Sequence, residues 1–258
     1  MQTILFHDTI FGPIHSRRLG TSLGVNLSPR DGKVCSFDCL YCEAGFNAQG
    51  PGRTGLPPRE DVRKQLQDKL RQMKADNLPL DVITFSGNGE PTLHPDFEGI
   101  IDDTIKLRDA YFPEVKISVL SNSTRLDKES VRRALRRIDN NILKLDSAID
   151  STINLLDRPT SSSFSAKDVI EKLSGFGNQC IVQTMMLRGS HDGKTVDNTT
   201  VQEVEALIEA YKRITPREVM LYSIDRKTPE ESLLKVPMEE LETIADRIRA
   251  HGIKVQVN

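Results

Sequence analysis

Short apolar runs alternate along the chain with longer stretches in which apolar residues recur every three or four positions. TSLGVNLS (21–28) reads as a first strand. In REDVRKQLQDKLRQMKADN (59–77), Val62, Leu66 and Leu70 recur at four-residue spacing, one stripe of an amphipathic helix. LDVITFSG (80–87) is a second strand ending in glycine, and Phe97, Ile100, Ile101, Ile105 and Leu107 mark a helix over 95–111. VKISVLSN (115–122), NILKLDSA (141–148), CIVQTMML (180–187) and REVMLYSI (217–224) are the third to sixth strands. Helices are predicted over 126–138, over 165–176 with Ser165 as N-cap, over 201–211 and over 238–248. IKVQVN (253–258) reads as a closing strand.

Strands that alternate with helices in this way predict an α/β fold on a parallel sheet, and strands this uniformly apolar predict burial on both faces. A doubly wound open sheet and a barrel both satisfy the alternation. No fixed-period repeat or low-complexity tract interrupts it. Residues 1–20 read as an N-terminal extension, the Gly/Pro-rich 46–58 as a loop, and 1–258 as a single domain.

Composition narrows the function classes. Thirty-five basic and 37 acidic residues give a net charge of -2, so no global field draws the chain to nucleic acid or to an anionic membrane. The N-terminus lacks a basic region followed by an apolar one, and no stretch approaches the ~18 apolar residues of a membrane span. A cytoplasmic protein is expected. Three of its four cysteines, Cys35, Cys39 and Cys42, lie within KVCSFDCLYCEAG (33–45), a spacing that points to metal or redox chemistry and not to a secreted disulfide framework.

In parallel α/β folds ligands collect at the C-terminal ends of the strands. The cysteines follow the first predicted strand. FSGNGEPTLHP follows the second and carries Gly87, Asn88, Gly89 and Glu90. Ser121, Asn122 and Ser123 end the third, Lys144, Asp146 and Ser147 the fourth, and Tyr222 and Ser223 the sixth, while Gln183 and Thr184 lie in the fifth. Structural zinc wants four protein ligands, which His7 or His15 would complete. An iron–sulfur cubane takes one thiolate per iron, so three thiolates leave one iron open. Cys180 reads as a small buried hydrophobe. The run Arg132 to Arg137 reads as the outer face of a helix, with an RNA contact as the alternative.

Three-then-two cysteine spacing, with the aromatic Tyr41 directly before the last cysteine and GNGEP one strand later, resembles the radical S-adenosylmethionine (radical SAM) superfamily. The resemblance covers most of the chain. It implies a partial parallel (β/α)6 barrel, a 4Fe–4S cluster held by Cys35, Cys39 and Cys42, and S-adenosylmethionine (SAM) chelated to the open iron. It further implies reductive cleavage of SAM to a 5′-deoxyadenosyl radical, an oxidoreductase or lyase type of enzyme, and a one-electron reductant such as flavodoxin or ferredoxin. Tyr41, Gly87, Asn88, Gly89 and Glu90 match the cofactor-binding region, with Glu90 as acceptor for the SAM ammonium and Asn88 where relatives have a glycine. Ser121 and Asn122 match the segment that meets ribose or carboxylate, and Asp146 and Gln183 are expected to act in the same way.

FGPIHSRRLGTSLGVNLSP, LKLDSAI, DRPTS and LYSIDRKTPE look like the branch related to wyosine synthases, which implies a substrate in transfer RNA. Only Cys180 is left over, so the second cluster of those enzymes is not expected. The substrate classes are small molecule, peptide and RNA. An activase of a glycyl-radical enzyme is the rival within the same chemistry, and a zinc-binding α/β protein without catalysis the rival outside it.

Overall fold

In the computed structural model of the chain, residues 4–16 and 19–258 are described. The sheet begins with β1 (Ile10–Ser16) and β2 (Gly20–Val25), an antiparallel pair in which Ile10 lies opposite Val25 and Ser16 opposite Gly20. Then come α1 (Arg59–Ala75), β3 (Val82–Phe85), α2 (Phe97–Tyr111), β4 (Lys116–Ser121), α3 (Glu129–Leu135) and β5 (Asn140–Lys144). Two short helices, α4 (Asp150–Leu156) and α5 (Ala166–Ser174), precede β6 (Cys180–His191) and β7 (Lys194–Asp197). The order closes with α6 (Val201–Ile214), β8 (Glu218–Ser223), β9 (Leu234–Lys235), α7 (Met238–Arg249) and β10 (Val255–Val257).

Strand order decides between the two architectures that the alternation allowed. The neighbours run β1-β2-β3-β4-β5-β6-β8-β10, and every pair from β2 to β10 is parallel. A doubly wound sheet reverses its order at a switch point. Here the order never reverses, and with right-handed crossovers the connecting helices then all fall on one face. Among the described residues the path ends at β1 and at β10 without joining them, so the single-wound sheet is open. Six βα units and a closing strand make the α/β fold expected.

The two faces differ in chemistry. On the helix side, Leu23, Ile83, Phe85, Ile117, Val119 and Leu143 pack with Val62, Leu66, Leu70 and the apolar stripes of the other helices into one buried core. α1 buries Val62, Leu66, Leu70 and Met73 and ends where Asn77 turns left-handed at φ 50°. α6 starts at Thr200, whose hydroxyl accepts from the Glu203 amide at 3.3 Å, a standard cap. Strand side chains alternate between faces, and the opposite face carries polar pairs inside strands that read as apolar. Ser22 and Thr84 hydroxyls share a 2.8 Å hydrogen bond, and Asn140 donates to Ser118 at 2.9 Å.

Four local features depart from the sequence reading. Ile10–Ser16 forms a strand within residues 1–20, for which the sequence shows none; residues 1–3, 17 and 18 lie outside the described residues. Gly12 and Pro13 break its alternation, and an edge strand tolerates them because it need not donate on both sides. β6 runs on past Leu187 into a hairpin with β7, turned at Asp192 and Gly193, both at positive φ. α4 has seven residues, too few to show a helical period. Ser165 does occupy the cap of α5, but its hydroxyl makes no cap bond; Asp150 accepts from the Ala166 amide at 2.6 Å instead. Among the described residues no helix is long and apolar enough to cross a membrane.

Leu70 is fully buried between α1 and the sheet. Leu70→Ala is expected to lower unfolding stability by about 2–5 kcal/mol, read from the urea midpoint, through lost transfer energy and the cavity left behind.

Candidate metal centre

The cysteine loop has no regular structure of its own, so its shape depends on where its backbone groups find partners. At its start Val34 pairs with the turn after β3: the Val34 amide donates to Asn88 O at 3.0 Å and the Glu90 amide to Val34 O at 2.9 Å. A Cβ on Gly89 would lie 1.9 Å from Val34 O, and its φ is +147°, so only glycine allows this approach. Further on, the amides of Asp38 and Leu40 donate to Asp157 O and Leu156 O at 2.9 and 3.0 Å, and the Thr160 amide donates to Ser36 O at 2.9 Å. The buried Lys33 crosses beneath, its Nζ 2.8 Å from Gly45 O and 3.6 Å from Asp38 Oδ1. Both ends of the loop and its middle are thereby fixed.

Glu90 joins that turn to the end of β4. Its Oε1 accepts from the Thr92 amide and hydroxyl at 3.0 and 2.5 Å and from Ser121 Oγ at 2.9 Å; its Oε2 accepts from the Asn122 amide at 2.6 Å. Burial raises its pKa against the opposing pull of those hydrogen bonds. Asn122 reaches from there to the loop, with Nδ2 3.6 Å from Cys35 Sγ and 3.0 Å from Ser36 Oγ. The Asn88 side chain is spent on a different task. It accepts from the Phe6 amide at 2.8 Å and donates to Phe6 O and Pro29 O, both at 2.9 Å, tying down the strand-one side of the sheet.

A second group gathers at the end of β5. Asp146, fully buried, accepts from the Met185 amide at 2.9 Å, pairs with Lys144 at 3.2 Å and accepts from the Tyr41 hydroxyl. Lys144 also lies 3.1 Å from Asp157 Oδ1, 3.3 Å from Cys39 Sγ and 4.4 Å from the centre of the Tyr41 ring. Burial works against its charge, but the carboxylates of Asp146 and Asp157 outweigh that and hold its pKa well above the usual lysine value. Burial pushes Asp157 up to about 7 against the pull of Lys144. The Tyr41 phenol is pushed well up, first by burial and then by Asp146. Gln183 sits beside Lys144 in register on β6. Next to Tyr41 a cavity of about 350 Å³ opens, walled by Met185 and Tyr222, with Glu43, Arg226 and Lys235 among its lining. Arg226 pairs with Glu43 at 2.6 Å and Lys235 with Asp225 at 3.2 Å.

One end of the sheet therefore holds the three cysteines, the Gly87–Glu90 turn, the Ser121–Asn122 end of β4 and the Lys144–Asp146 end of β5. Residues 31–197 match the family model described as the Radical SAM superfamily. The chain belongs to the radical SAM superfamily.

Among curated proteins it is 31% identical over 239 residues to a UPF0026 protein of Methanocaldococcus jannaschii, covering 90% of this chain and 68% of that one. A UPF0026 protein of Helicobacter pylori is 30% identical over 240 residues, covering 88% and 71%. A Brachyspira hyodysenteriae protein named GTPase Obg is 29% identical over 236 residues, and this chain spans 32% of its length. The fold is similar to that of a radical SAM methyltransferase from Sphaerobacter thermophilus, with TM-score 0.66 and 14% identity over 92% of this chain and 65% of that one. It is also similar to that of TYW1 with a lysine-pyruvate adduct bound, with TM-score 0.60 and 14% identity over 90% of this chain and 75% of that one. Those folds are of the radical SAM barrel type, which is the fold class of this sheet. The superfamily's cofactors, a 4Fe–4S cluster and SAM, are the cofactors of this radical SAM protein.

The donor set fits such a cluster better than a single ion. Cys39 is buried and Cys35 and Cys42 are half-buried. The thiols lie within electrostatic reach of one another. Yet among the described residues no three cysteine, histidine or carboxylate side chains gather closely enough to hold one metal ion. A zinc would need sulfurs at about 2.3 Å on all sides, whereas a cubane gives each thiolate its own iron and spaces them out. Burial pushes the Cys35 thiol up to about 11, helped by Glu90, and the Cys39 thiol well up against the pull of Lys144. A metal bound through either thiol displaces its proton. Cys180 lies at the first residue of β6, the opposite end of the strands from the loop, where its thiol donates to Gly177 O at 3.2 Å.

Asp157 opens the DRPTS segment, but neither its contact with Lys144 nor that of Lys144 with Cys39 carries a local sequence signal, because both depend on packing across the mouth. The arginines of 132–137 are engaged in the helix layer. Arg133 pairs with Glu98 at 2.8 Å, Arg137 with Asp102, Arg132 with Glu129, and Arg136 stacks 5.5 Å over Phe176.

Gly89→Ala forces the turn away from Val34. Its expected effect, read as iron and sulfide bound after anaerobic reconstitution, is about 10–100-fold weaker retention, the range for losing the support of metal ligands.

Proposed function

We propose that Cys35, Cys39 and Cys42 hold the 4Fe–4S cluster of this radical SAM enzyme and that the chain, a single radical SAM domain acting in the cytoplasm, performs an oxidoreductase or lyase type reaction by hydrogen abstraction. When bound, cluster and SAM supply one-electron cleavage of the sulfonium and a 5′-deoxyadenosyl radical that takes a hydrogen atom from substrate. The observation that carries this reading is the bridge of Val34 to Gly89 together with the reach of Asn122 to Cys35. These contacts join the cysteine loop, the glycine turn and the end of β4 into one site.

The residues divide the work by position. Gly87, Asn88, Gly89 and Glu90 form the turn against which SAM lies, and Ser121 and Asn122 flank it. The carboxylate of Glu90 accepts four internal hydrogen bonds, so it serves SAM by holding the Ser121 hydroxyl and the Asn122 amide in place. Tyr41, Asp146 and Gln183 form the β5–β6 side, next to the cavity walled by Met185 and Tyr222, where substrate enters. A one-electron donor such as flavodoxin or ferredoxin is the reductant. The segments that resemble wyosine synthases make a transfer-RNA base the first substrate class to test, with peptide and small-molecule pools beside it.

Reconstituted without oxygen, the protein should be brown and, given dithionite and SAM, should release 5′-deoxyadenosine. Replacing Cys35, Cys39 or Cys42 by Ala is expected to abolish that release, and Cys180→Ala to leave it largely intact. Full activity in a loop variant, or a colourless protein holding one zinc, overturns the reading. Deuterium carried into 5′-deoxyadenosine from one labelled pool identifies the substrate class, and transfer from a protein backbone would mark a glycyl-radical activase.

A further inference from the structure

Lys144 is an unusual neighbour for a metal ligand. Its side chain is 13% exposed, its Nζ lies 3.3 Å from Cys39 Sγ, and two carboxylates, Asp157 at 3.1 Å and Asp146 at 3.2 Å, are 1% and 0% exposed. As a thiol, Cys39 is neutral, and Lys144 is in contact with both its sulfur and the Asp157 carboxylate. As a ligand to iron it is a thiolate with no proton to give, and it then faces a buried carboxylate of like charge. A buried charge is tolerated only when a partner of opposite sign stands within contact distance. Lys144 stands in contact with Cys39, Asp157 and Asp146 alike.

We propose that Lys144 is a positioning residue for the iron–sulfur cluster, its ammonium donating to the Cys39 thiolate and offsetting Asp157 and Asp146 so that the reduced, more negative cluster is favoured. The inference rests on Cys39 being a cluster ligand. Hydrogen bonds to ligand sulfur and nearby charge are among the levers that set the potential of such clusters. Electron transfer into the cluster adds one negative charge, which a cation in contact with a ligand sulfur stabilises and a buried carboxylate opposes. Lys144 and Asp157 should therefore act in opposite directions, which a packing role would not produce.

The test is the potential of the reconstituted cluster without SAM, at constant pH, with the reduced fraction counted by electron paramagnetic resonance and normalised to bound iron. In Lys144→Met the ratio of reduced to oxidised cluster at a fixed potential is expected to fall about tenfold, about 59 mV for a one-electron couple. Asp157→Asn is expected to raise the ratio, and the double variant to return it toward that of the unmodified protein. If Lys144→Met binds no cluster, recovery of cluster in the double variant supports the inference, and a double variant that also stays empty overturns it. Equal ratios in all variants, whatever their cluster content, overturn it as well. An unmodified protein that binds no iron–sulfur cluster would defeat the functional reading itself, a result visible before any variant is made.

Discussion

The pairing of Val34 with Gly89 is the contact on which the rest of the site depends. An irregular loop carrying three cysteines is only as definite as its backbone hydrogen bonds, and these two, at 3.0 and 2.9 Å, form an isolated parallel bridge between the loop and the turn after β3. They require a glycine at 89, because any side chain there would occupy the space of the Val34 carbonyl. From that point Glu90 passes the constraint to β4 through Ser121 and Asn122, and Asn122 returns it to Cys35. The ring closes through side chains that are all buried or half-buried, so water does not compete for the same bonds.

The single-wound strand order explains why such a ring can form. With β2, β3, β4, β5 and β6 adjacent in chain order, the residues following each strand fall side by side at one end of the sheet. The helices stay on the outer face, where Leu70, Ile101 and Val131 fill the core, and the opposite face is left to small polar pairs such as Ser22 with Thr84. A doubly wound order would have split these ends about a switch point and left the cysteine loop with fewer neighbours.

What the sequence made legible follows from range. The cysteine spacing, Tyr41 and the glycine turn are local patterns, and the strands and helices show their periods within ten to twenty residues, so both could be read directly. β1 hides because Gly12 and Pro13 break its alternation, and α4 because it is too short to show a period. Lys144 with Cys39 is 105 residues apart and Tyr41 with Asp146 likewise, and no spacing rule connects them. Asp146 could be placed at the end of its strand, but its role in joining β5 to β6 through the Met185 amide emerges only from packing.

Cys35 and Cys39 are surrounded by different kinds of group. Around Cys35 the contact partner is neutral: the Asn122 amide group approaches the sulfur, and the Glu90 carboxylate behind it, which helps raise the thiol's pKa, accepts from four donors. Around Cys39 the partners are charged, a lysine between two carboxylates, with the Tyr41 ring over the ammonium. Neutral dipoles respond little when a charge is added to the loop, whereas a contact cation responds strongly, since Coulomb energy grows as the medium becomes less polarisable. The electrical sensitivity of the site is thus concentrated on its Cys39 side, on the same wall as Tyr41 and the cavity beside it. A change in charge at that wall is felt by the cavity beside Tyr41 and by the Cys39 sulfur together.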